Sequence, residues 1–99
     1  MRYQLKVPDD IAALVRSLHP RIKAHIKTAL RSLLEHPCRG KSLRDELLGL
    51  RSYRTKRYRI IYRINEREKL LEIVAIGPRR NIYEETFKII QKEERDKHD

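Results

Sequence analysis

Apolar residues recur along the chain with two different periods, and each period predicts one kind of element. Tyr3, Leu5 and Val7 alternate with polar residues, which predicts a short strand over residues 2–7. Apolar residues at positions 11, 14, 15 and 18 follow helical spacing, and Asp9 or Asp10 can cap this first helix. Pro20 suits the first turn of a second helix, which ends near His36-Pro37. The apolar face of that helix consists of Ile22, Ile26, Ala29, Leu30 and Leu33, and the two helices form a hairpin.

The second half of the chain predicts three strands and a third helix. Residues 37–49 carry a proline and two of the three glycines, which predicts mainly loop. The predicted strands are Leu50–Thr55, Arg57–Asn65 and Lys69–Ile76. The third is nearly all apolar, which is typical of a central strand buried on both faces. Gly77-Pro78 ends it, a polar helix begins near Ile82, and residues 93–99 are predicted to fray.

The order strand, helix, helix, three strands, helix predicts an α+β fold. We expect a small antiparallel sheet with the helical hairpin on one face and a C-terminal helix. In the strand Arg57–Asn65, the side chains of Tyr58, Ile60, Tyr62 and Ile64 point one way and those of Arg57, Arg59, Ile61 and Arg63 the other. The hairpin therefore packs on the tyrosine side, and the arginines lie on the other face. A chain of 99 residues buries only about 60–65% of its unfolded surface, so residues 1–99 are predicted to form one domain.

Positive charge is concentrated in one quarter of the chain. The net charge is +10, and residues 39–63 hold nine basic residues against two acidic ones. A patch of this kind on predicted strands is typical of a surface that binds phosphates. The alternative is a solvated basic face without a partner.

Composition excludes other classes of protein. No apolar run approaches the roughly 20 residues that cross a bilayer, and the N-terminus lacks the apolar block of a secretory signal. The single cysteine, Cys38, cannot form an internal disulfide. No His, Asp or Glu residues cluster at ligand spacing, so neither a metal nor a cofactor is implied. We expect a cytoplasmic protein that has an anionic partner and does not bind membranes.

Three stretches of the chain form a set whose order and spacing resemble one known family. They are Leu43 to Leu50 followed by Arg51-Ser52-Tyr53-Arg54, then Tyr58-Arg59-Ile60-Ile61-Tyr62, then Val74-Ala75-Ile76-Gly77-Pro78-Arg79-Arg80-Asn81-Ile82-Tyr83. Over nearly its whole length the chain resembles the RelE/ParE superfamily of toxins from bacterial and archaeal toxin–antitoxin pairs. The RelE branch comprises ribonucleases that cut mRNA, typically on the ribosome, and the ParE branch poisons DNA gyrase. The basic pair followed by a tyrosine is more like RelE.

The resemblance implies a metal-independent endoribonuclease in which the RNA 2′-hydroxyl attacks the adjacent phosphate. The implied catalytic residues are Arg59, Arg79 (or its neighbour Arg80) and Tyr83. Further RNA-binding residues are expected at Arg51, Arg54, Lys56, Arg57, Arg63 and Arg80. The implied partners are mRNA, the ribosome and an acidic antitoxin that forms an oligomer with the toxin and covers its basic surface.

Two departures from the family pattern concern the hairpin turn and proton transfer. Lys56-Arg57 stands where many members have Gly-Asp, which disfavours a turn that needs positive φ. Lysines that some RelE enzymes carry on the earlier strand are arginine, serine or tyrosine here. Because arginine stays protonated, Tyr83 is the remaining candidate for a proton acceptor, or it stacks on a base. Lys56 or Lys41 could protonate the leaving oxygen.

Two other functions remain open on sequence alone. One is a gyrase-poisoning toxin, which would block DNA supercoiling and leave mRNA intact. The other is an inactive module on the same fold, which would bind RNA in a salt-dependent way without cleaving it.

Overall fold

A five-stranded sheet with helices on both faces organises residues 3–97, the part of the chain that the computed structural model describes. The strands are β1 Gln4–Lys6, β2 Lys41–Ser42, β3 Arg51–Thr55, β4 Tyr58–Asn65 and β5 Leu70–Pro78. The helices are α1 Asp9–Ser17, α2 Pro20–Glu35 and α3 Ile82–Lys97, with short 3₁₀ turns at Pro37–Arg39 and Asp45–Leu47. The predicted α+β fold is confirmed.

The sheet is mixed, whereas the sequence predicted an antiparallel one. Its strand order is β1-β5-β4-β3-β2, and β1 runs parallel to β5 while the other neighbours are antiparallel. The apolar β5 needs a hydrogen-bonded strand on each side, and β1 pairs with it on the side away from β4. Alternation shows which residues share a face but not the direction of a strand, so it could not reveal this pairing. The two-residue β2 is too short to show any alternation.

The ends of several elements differ from the predicted ones. β3 and β4 each begin one residue later than expected, and β5 continues through Pro78. The predicted fraying is wrong for residues 93–97, which continue α3, while residues 98–99 and Arg2 lie outside the described part. An ion pair between Glu93 Oε2 and Arg63 Nη2, 3.6 Å apart, ties this last part of α3 to the sheet.

The helix starts follow their local chemistry. Pro20 occupies the first position of α2, as predicted, and His19 Nδ1 accepts a hydrogen bond from the Arg21 amide at 3.1 Å. Pro8 precedes α1, and Asp9 and Asp10 lie inside its first turn without a capping hydrogen bond. The expected aspartate cap is therefore wrong, although both carboxylates still favour the positive end of the helix dipole.

The core has one apolar layer on each face of the sheet. Under the α1–α2 hairpin lies the larger layer, which includes Ile26, Leu33, Ile60, Tyr62 and Leu71. Under α3 lies a smaller layer formed by Leu50, Ile61, Val74, Ala75 and Ile82. The arginine face of the sheet is thus partly covered by α3, which places the N-terminal turn of that helix beside the arginines that stay exposed.

The hydroxyl of Tyr62 anchors the segment that follows α2. The Tyr62 side chain is fully buried; its hydroxyl accepts a hydrogen bond from the Gly40 amide at 2.9 Å and donates one to the Pro37 carbonyl. A Cβ on Gly40 would lie 2.5 Å from the Tyr62 hydroxyl oxygen, so only glycine fits there. The chain therefore reaches β2 along a path fixed by one buried polar group.

Tyr62→Phe is expected to lower the free energy of unfolding by about 1–3 kcal/mol, because it leaves a buried amide and a partly buried carbonyl without partners. Urea denaturation of purified protein measures the loss. Tyr53→Phe is the matched control, since Tyr53 packs against the same core and its hydroxyl makes no hydrogen bond within residues 3–97. Equal losses in the two variants would contradict the anchoring role.

Burial raises the pKa of Tyr62 above its ordinary value of 10.0. The unfolded chain then loses this proton at lower pH than the folded one, so stability is fully present below pH 10.0 and falls as the pH rises above it. We expect the stability difference between wild type and Tyr62→Phe to shrink above that pH. Urea midpoints measured on both sides of it test this, and a constant difference would contradict it.

Candidate functional site

Arg59 and Tyr83 meet on the α3 face of the sheet, and a third side chain joins them. Arg59 Nη1 donates a hydrogen bond to Ser52 Oγ at 3.2 Å, and the Tyr83 hydroxyl donates to the same oxygen at 3.2 Å. The Arg59 guanidinium carbon lies 5.6 Å from the centroid of the Tyr83 ring. We call Ser52, Arg59 and Tyr83 the central cluster.

The strand register explains how these residues come together. Ser52 on β3 lies opposite Ile61, and Gly77 on β5 lies opposite Arg59. A Cβ on Gly77 would lie 3.0 Å from Ile82 Cδ1, so the missing side chain gives Ile82 room to lie close to β5. Because Ile82 begins α3, the next residue, Tyr83, reaches over the neighbouring strand to Arg59.

Ser52 was not among the predicted site residues. It is only 3% exposed and lies on the same face of β3 as Arg54. The sequence pattern that could have identified Ser52 is the alternation of faces along the strand, which places this small polar residue on the arginine face together with Arg54. That pattern indicates burial but no partner, because the partner Tyr83 is 31 residues away.

Arg79 lies at the same end of the sheet without joining the central cluster. Its amide donates to the Arg57 carbonyl at 3.0 Å, which fixes its backbone beside the β3–β4 turn. Arg79 is the first residue after β5, at the end of the strand where Gly77 lies opposite Arg59. Within residues 3–97 its exposed side chain makes no ion pair or hydrogen bond, and the same is true of Arg80 in the following turn.

Arg54, Lys56 and Arg57 lie at the same end of the sheet as the central cluster. Arg54 lies directly opposite Arg59 across the β3–β4 ladder and is exposed. Lys56 and Arg57 form the exposed turn between the two strands. The sequence predicted Arg57 as the first residue of β4, on the face of Arg59, but β4 begins one residue later, at Tyr58. Four exposed cations, counting Arg79, therefore lie at this end of the sheet, and the strand pairing places Arg54 on the face of the central cluster.

The β3–β4 turn does contain a residue with positive φ, although the sequence disfavoured one there. Lys56 adopts φ 57°, in the left-handed region. The ladder from Arg51↔Tyr62 to Thr55↔Tyr58 leaves only two residues to reverse the chain. The strand pairing imposes the conformation, and lysine bears a cost that glycine would avoid.

Arg51 and Arg63, both predicted to bind RNA, have structural partners instead. Arg51 lies opposite Tyr62 on the other face of the sheet, where its Nη1 donates to the Gly40 carbonyl at 2.6 Å. Arg63 Nε lies 3.5 Å from Glu72 Oε1, and its Nη2 pairs with Glu93. The structure therefore does not bring these two arginines into the site.

No carboxylate within residues 3–97 lies at ion-pair distance from Arg59. Arg59 forms no ion pair there, and its Nε is buried without a hydrogen-bond partner. A guanidinium with unused donors, held by Ser52 and bordered by further cations, can bind an oxyanion such as phosphate through two parallel hydrogen bonds.

Among residues 3–97, no group of three or more His, Cys, Asp or Glu side chains could hold a metal ion. Over the same range, no helix combines the length and apolar character needed to span a membrane.

Comparison with known proteins gives a consistent assignment. A family model described as the ParE toxin of type II toxin–antitoxin systems matches residues 2–83. Toxin RelG of Mycobacterium tuberculosis is 34% identical over 85 residues, which cover 84% of this chain and 98% of RelG.

Solved structures agree with this assignment. The structure of the M. tuberculosis toxin–antitoxin complex RelBE2 contains a chain that matches with a TM-score of 0.71 and 32% identity, covering 80% of this chain and 100% of that one. A mutant of E. coli toxin RelE in the free state matches with a TM-score of 0.75 over 94% of this chain and 98% of its own. Its identity is 19%, so this second likeness concerns the fold alone.

If the hydroxyls of Ser52 and Tyr83 share one hydrogen bond, their removal is not additive. Ser52→Ala and Tyr83→Phe should each lower the free energy of unfolding by about 0.5–1.5 kcal/mol, and the double variant should cost no more than Ser52→Ala alone. A double-mutant cycle in urea measures this. Tyr53→Phe, on the opposite face of β3, is the control and should combine additively with Ser52→Ala. Additive losses for Ser52 and Tyr83 would mean that the hydroxyls are not coupled.

Proposed function

Because the chain belongs to the ParE toxin family of type II toxin–antitoxin systems, as a RelE-like member of the RelE/ParE superfamily, we propose that it is an endoribonuclease that cleaves mRNA. The observation that carries this proposal is the central cluster, in which a guanidinium without an ion pair lies under a tyrosine ring and opposite the exposed Arg54. Phosphate and an unstacked base are the ligands that these two groups suit best.

The proposed reaction uses a nucleophile that the RNA itself supplies. The 2′-oxygen attacks the adjacent phosphorus, so a 2′-O–P bond forms while the P–O5′ bond breaks. The 2′-hydroxyl loses a proton and the departing 5′-oxygen gains one, which gives a 2′,3′-cyclic phosphate and a 5′-hydroxyl. Since no water has to be activated for this step, the reaction does not require a metal-bound hydroxide.

Arg59 is proposed to bind the reacting phosphate. Its buried Nε and its Ser52-bound Nη1 belong to a guanidinium whose position is fixed before RNA arrives. Donors fixed in advance stabilise the extra negative charge of the phosphorane without reorganising during the reaction. Arg54 lies opposite Arg59 and Arg79 follows β5 at the same end of the sheet, and both are proposed to hold the flanking backbone.

Tyr83 is proposed to act at the same phosphate by one of two routes. In the free protein its hydroxyl donates to Ser52, and RNA binding can exchange that partner for the 2′- or 5′-oxygen. Alternatively its ring stacks on the base next to the cleaved bond, which requires no proton transfer. Full cleavage by Tyr83→Phe would exclude proton transfer and leave stacking.

The proposed partners follow from charge and from the relatives. The solved M. tuberculosis relative is part of a toxin–antitoxin complex. We propose that an acidic antitoxin binds this chain, forms an oligomer with it and covers the exposed cations around the central cluster. The proposed setting of cleavage is mRNA on the ribosome, in the cytoplasm.

A second candidate function is inhibition of DNA gyrase. It is favoured by the match of residues 2–83 to a ParE toxin model, since the ParE branch poisons gyrase. Blocked supercoiling with intact mRNA after brief induction would support it and would contradict the ribonuclease.

Arg59→Ala is expected to slow cleavage roughly 10²–10³-fold, because the variant loses a fixed donor at the reacting phosphate. Primer extension on mRNA after brief induction, and single-turnover cleavage of purified RNA on ribosomes, measure the loss. Arg67→Ala is the matched control: Arg67 is exposed in the turn at the other end of β4, and its removal changes the net charge equally.

Equal cleavage by Arg59→Ala and Arg67→Ala would place the chemistry elsewhere. Salt-dependent RNA binding without cleavage by the wild type, on ribosomes as well as off them, would identify a non-catalytic binding module instead.

A further inference from the structure

An apolar slot opens on the opposite face of the sheet, between α2 and the β3–β4 turn. Its volume is about 210 Å³, and its mostly apolar lining includes Ile22, His25, Thr55 and Tyr58. Thr55 Oγ1 lies 3.5 Å from the His25 carbonyl, which holds the turn against α2 beside the slot. A space of this size suits one planar ring system and is smaller than typical pockets for drug-sized ligands.

Two cations border the slot. Lys56 and Arg57 both line it, both are exposed, and neither forms an ion pair within residues 3–97. Apolar walls below unpaired cations match a ligand that is aromatic in one part and negatively charged in another. A nucleotide has this character, with a flat base and a phosphate on either side.

The slot and the central cluster lie on opposite faces at the same end of the sheet, where β3 turns into β4. Tyr58 and Arg59 are consecutive residues whose side chains point to opposite faces, so the wall of the slot and the proposed phosphate site share one piece of backbone. The Arg79 amide bonds the Arg57 carbonyl at 3.0 Å, which joins the cations of the two regions into one strip. A strand bound at Arg59 can therefore pass over the turn and reach the slot.

We propose that this slot binds a nucleobase of the RNA, from a nucleotide near the cleaved bond, and stacks it against Tyr58. The inference rests on the proposed function, because it takes the ligand to be the RNA substrate. In this role Tyr58 is a specificity-determining residue. The base enters the slot while the phosphates of the same nucleotide contact Lys56 and Arg57. The size of the slot then discriminates between pyrimidine and purine rings.

The test measures binding separately from cleavage. Short RNAs with 2′-O-methyl groups cannot undergo attack by the 2′-oxygen, and 2-aminopurine placed at successive positions reports stacking by loss of its fluorescence. We expect quenching at one position near the blocked linkage. Tyr58→Leu should abolish that quenching and weaken binding roughly 5- to 150-fold, the usual effect of losing one base–aromatic stack.

Two further variants separate stacking from damage to the fold. Tyr3→Leu is the matched control, because Tyr3 packs against the same core from the β1 side, away from the turn, and should bind RNA like the wild type. Ile22→Phe narrows the slot and leaves Tyr58 in place, so it should also remove the quenching. Urea midpoints establish that each variant is folded.

The outcomes distinguish this inference from the proposed function. Wild-type quenching that persists in both Tyr58→Leu and Ile22→Phe would overturn the slot even if mRNA is cleaved. Quenching that depends on both residues would support the slot even if no cleavage is found. NMR signals of Ile22 and His25 that shift with an acidic antitoxin and not with the RNA would assign the slot to a protein partner and contradict the proposal.

Discussion

β4 has to bury apolar side chains on both of its faces while keeping the charged group of Arg59 out of the core. Ile60 and Tyr62 are buried under the helical hairpin, and Ile61 is buried under α3. This double demand fixes the register of β4 against β3 and β5, because a slip of one residue would drive Arg59 into the core. The same demand brings α3 onto the arginine face, so Tyr83 lies beside Arg59 as a consequence of packing Ile82.

The proposed chemistry divides between what arginine can and cannot do. Guanidinium groups hold phosphate oxygens and neutralise charge, but they stay protonated and transfer no proton. The central cluster therefore supplies charge stabilisation from Arg59 and leaves proton transfer to Tyr83 or to the RNA and its surroundings. A site built in this way depends on placing the phosphate correctly, which is the task proposed for the Arg59 guanidinium and the exposed cations at the same end of the sheet.

Much of this arrangement could be predicted from the sequence, because period-2 and helical patterns record which side chains must be buried. The hairpin, the two faces of β4 and the start of α3 followed from such patterns. The parallel pairing of β1 could not, since it depends on which edge of β5 is free. Ser52 was missed because its partner is distant in sequence, and the partners of Arg51 and Arg63 were missed because charge alone does not reveal which arginines have partners in the fold.

The central claim is that Arg59 and its neighbours promote attack by the RNA 2′-oxygen, and the ends of the cleaved RNA test it most directly. Mass spectrometry of the fragments should find a 2′,3′-cyclic phosphate, or the phosphate formed by opening it, on one side and a 5′-hydroxyl on the other. A single 2′-deoxy nucleotide on the 5′ side of the cleaved bond should block the cut. Fragments with 5′-phosphate ends, or cleavage that continues through the 2′-deoxy position, would contradict the account.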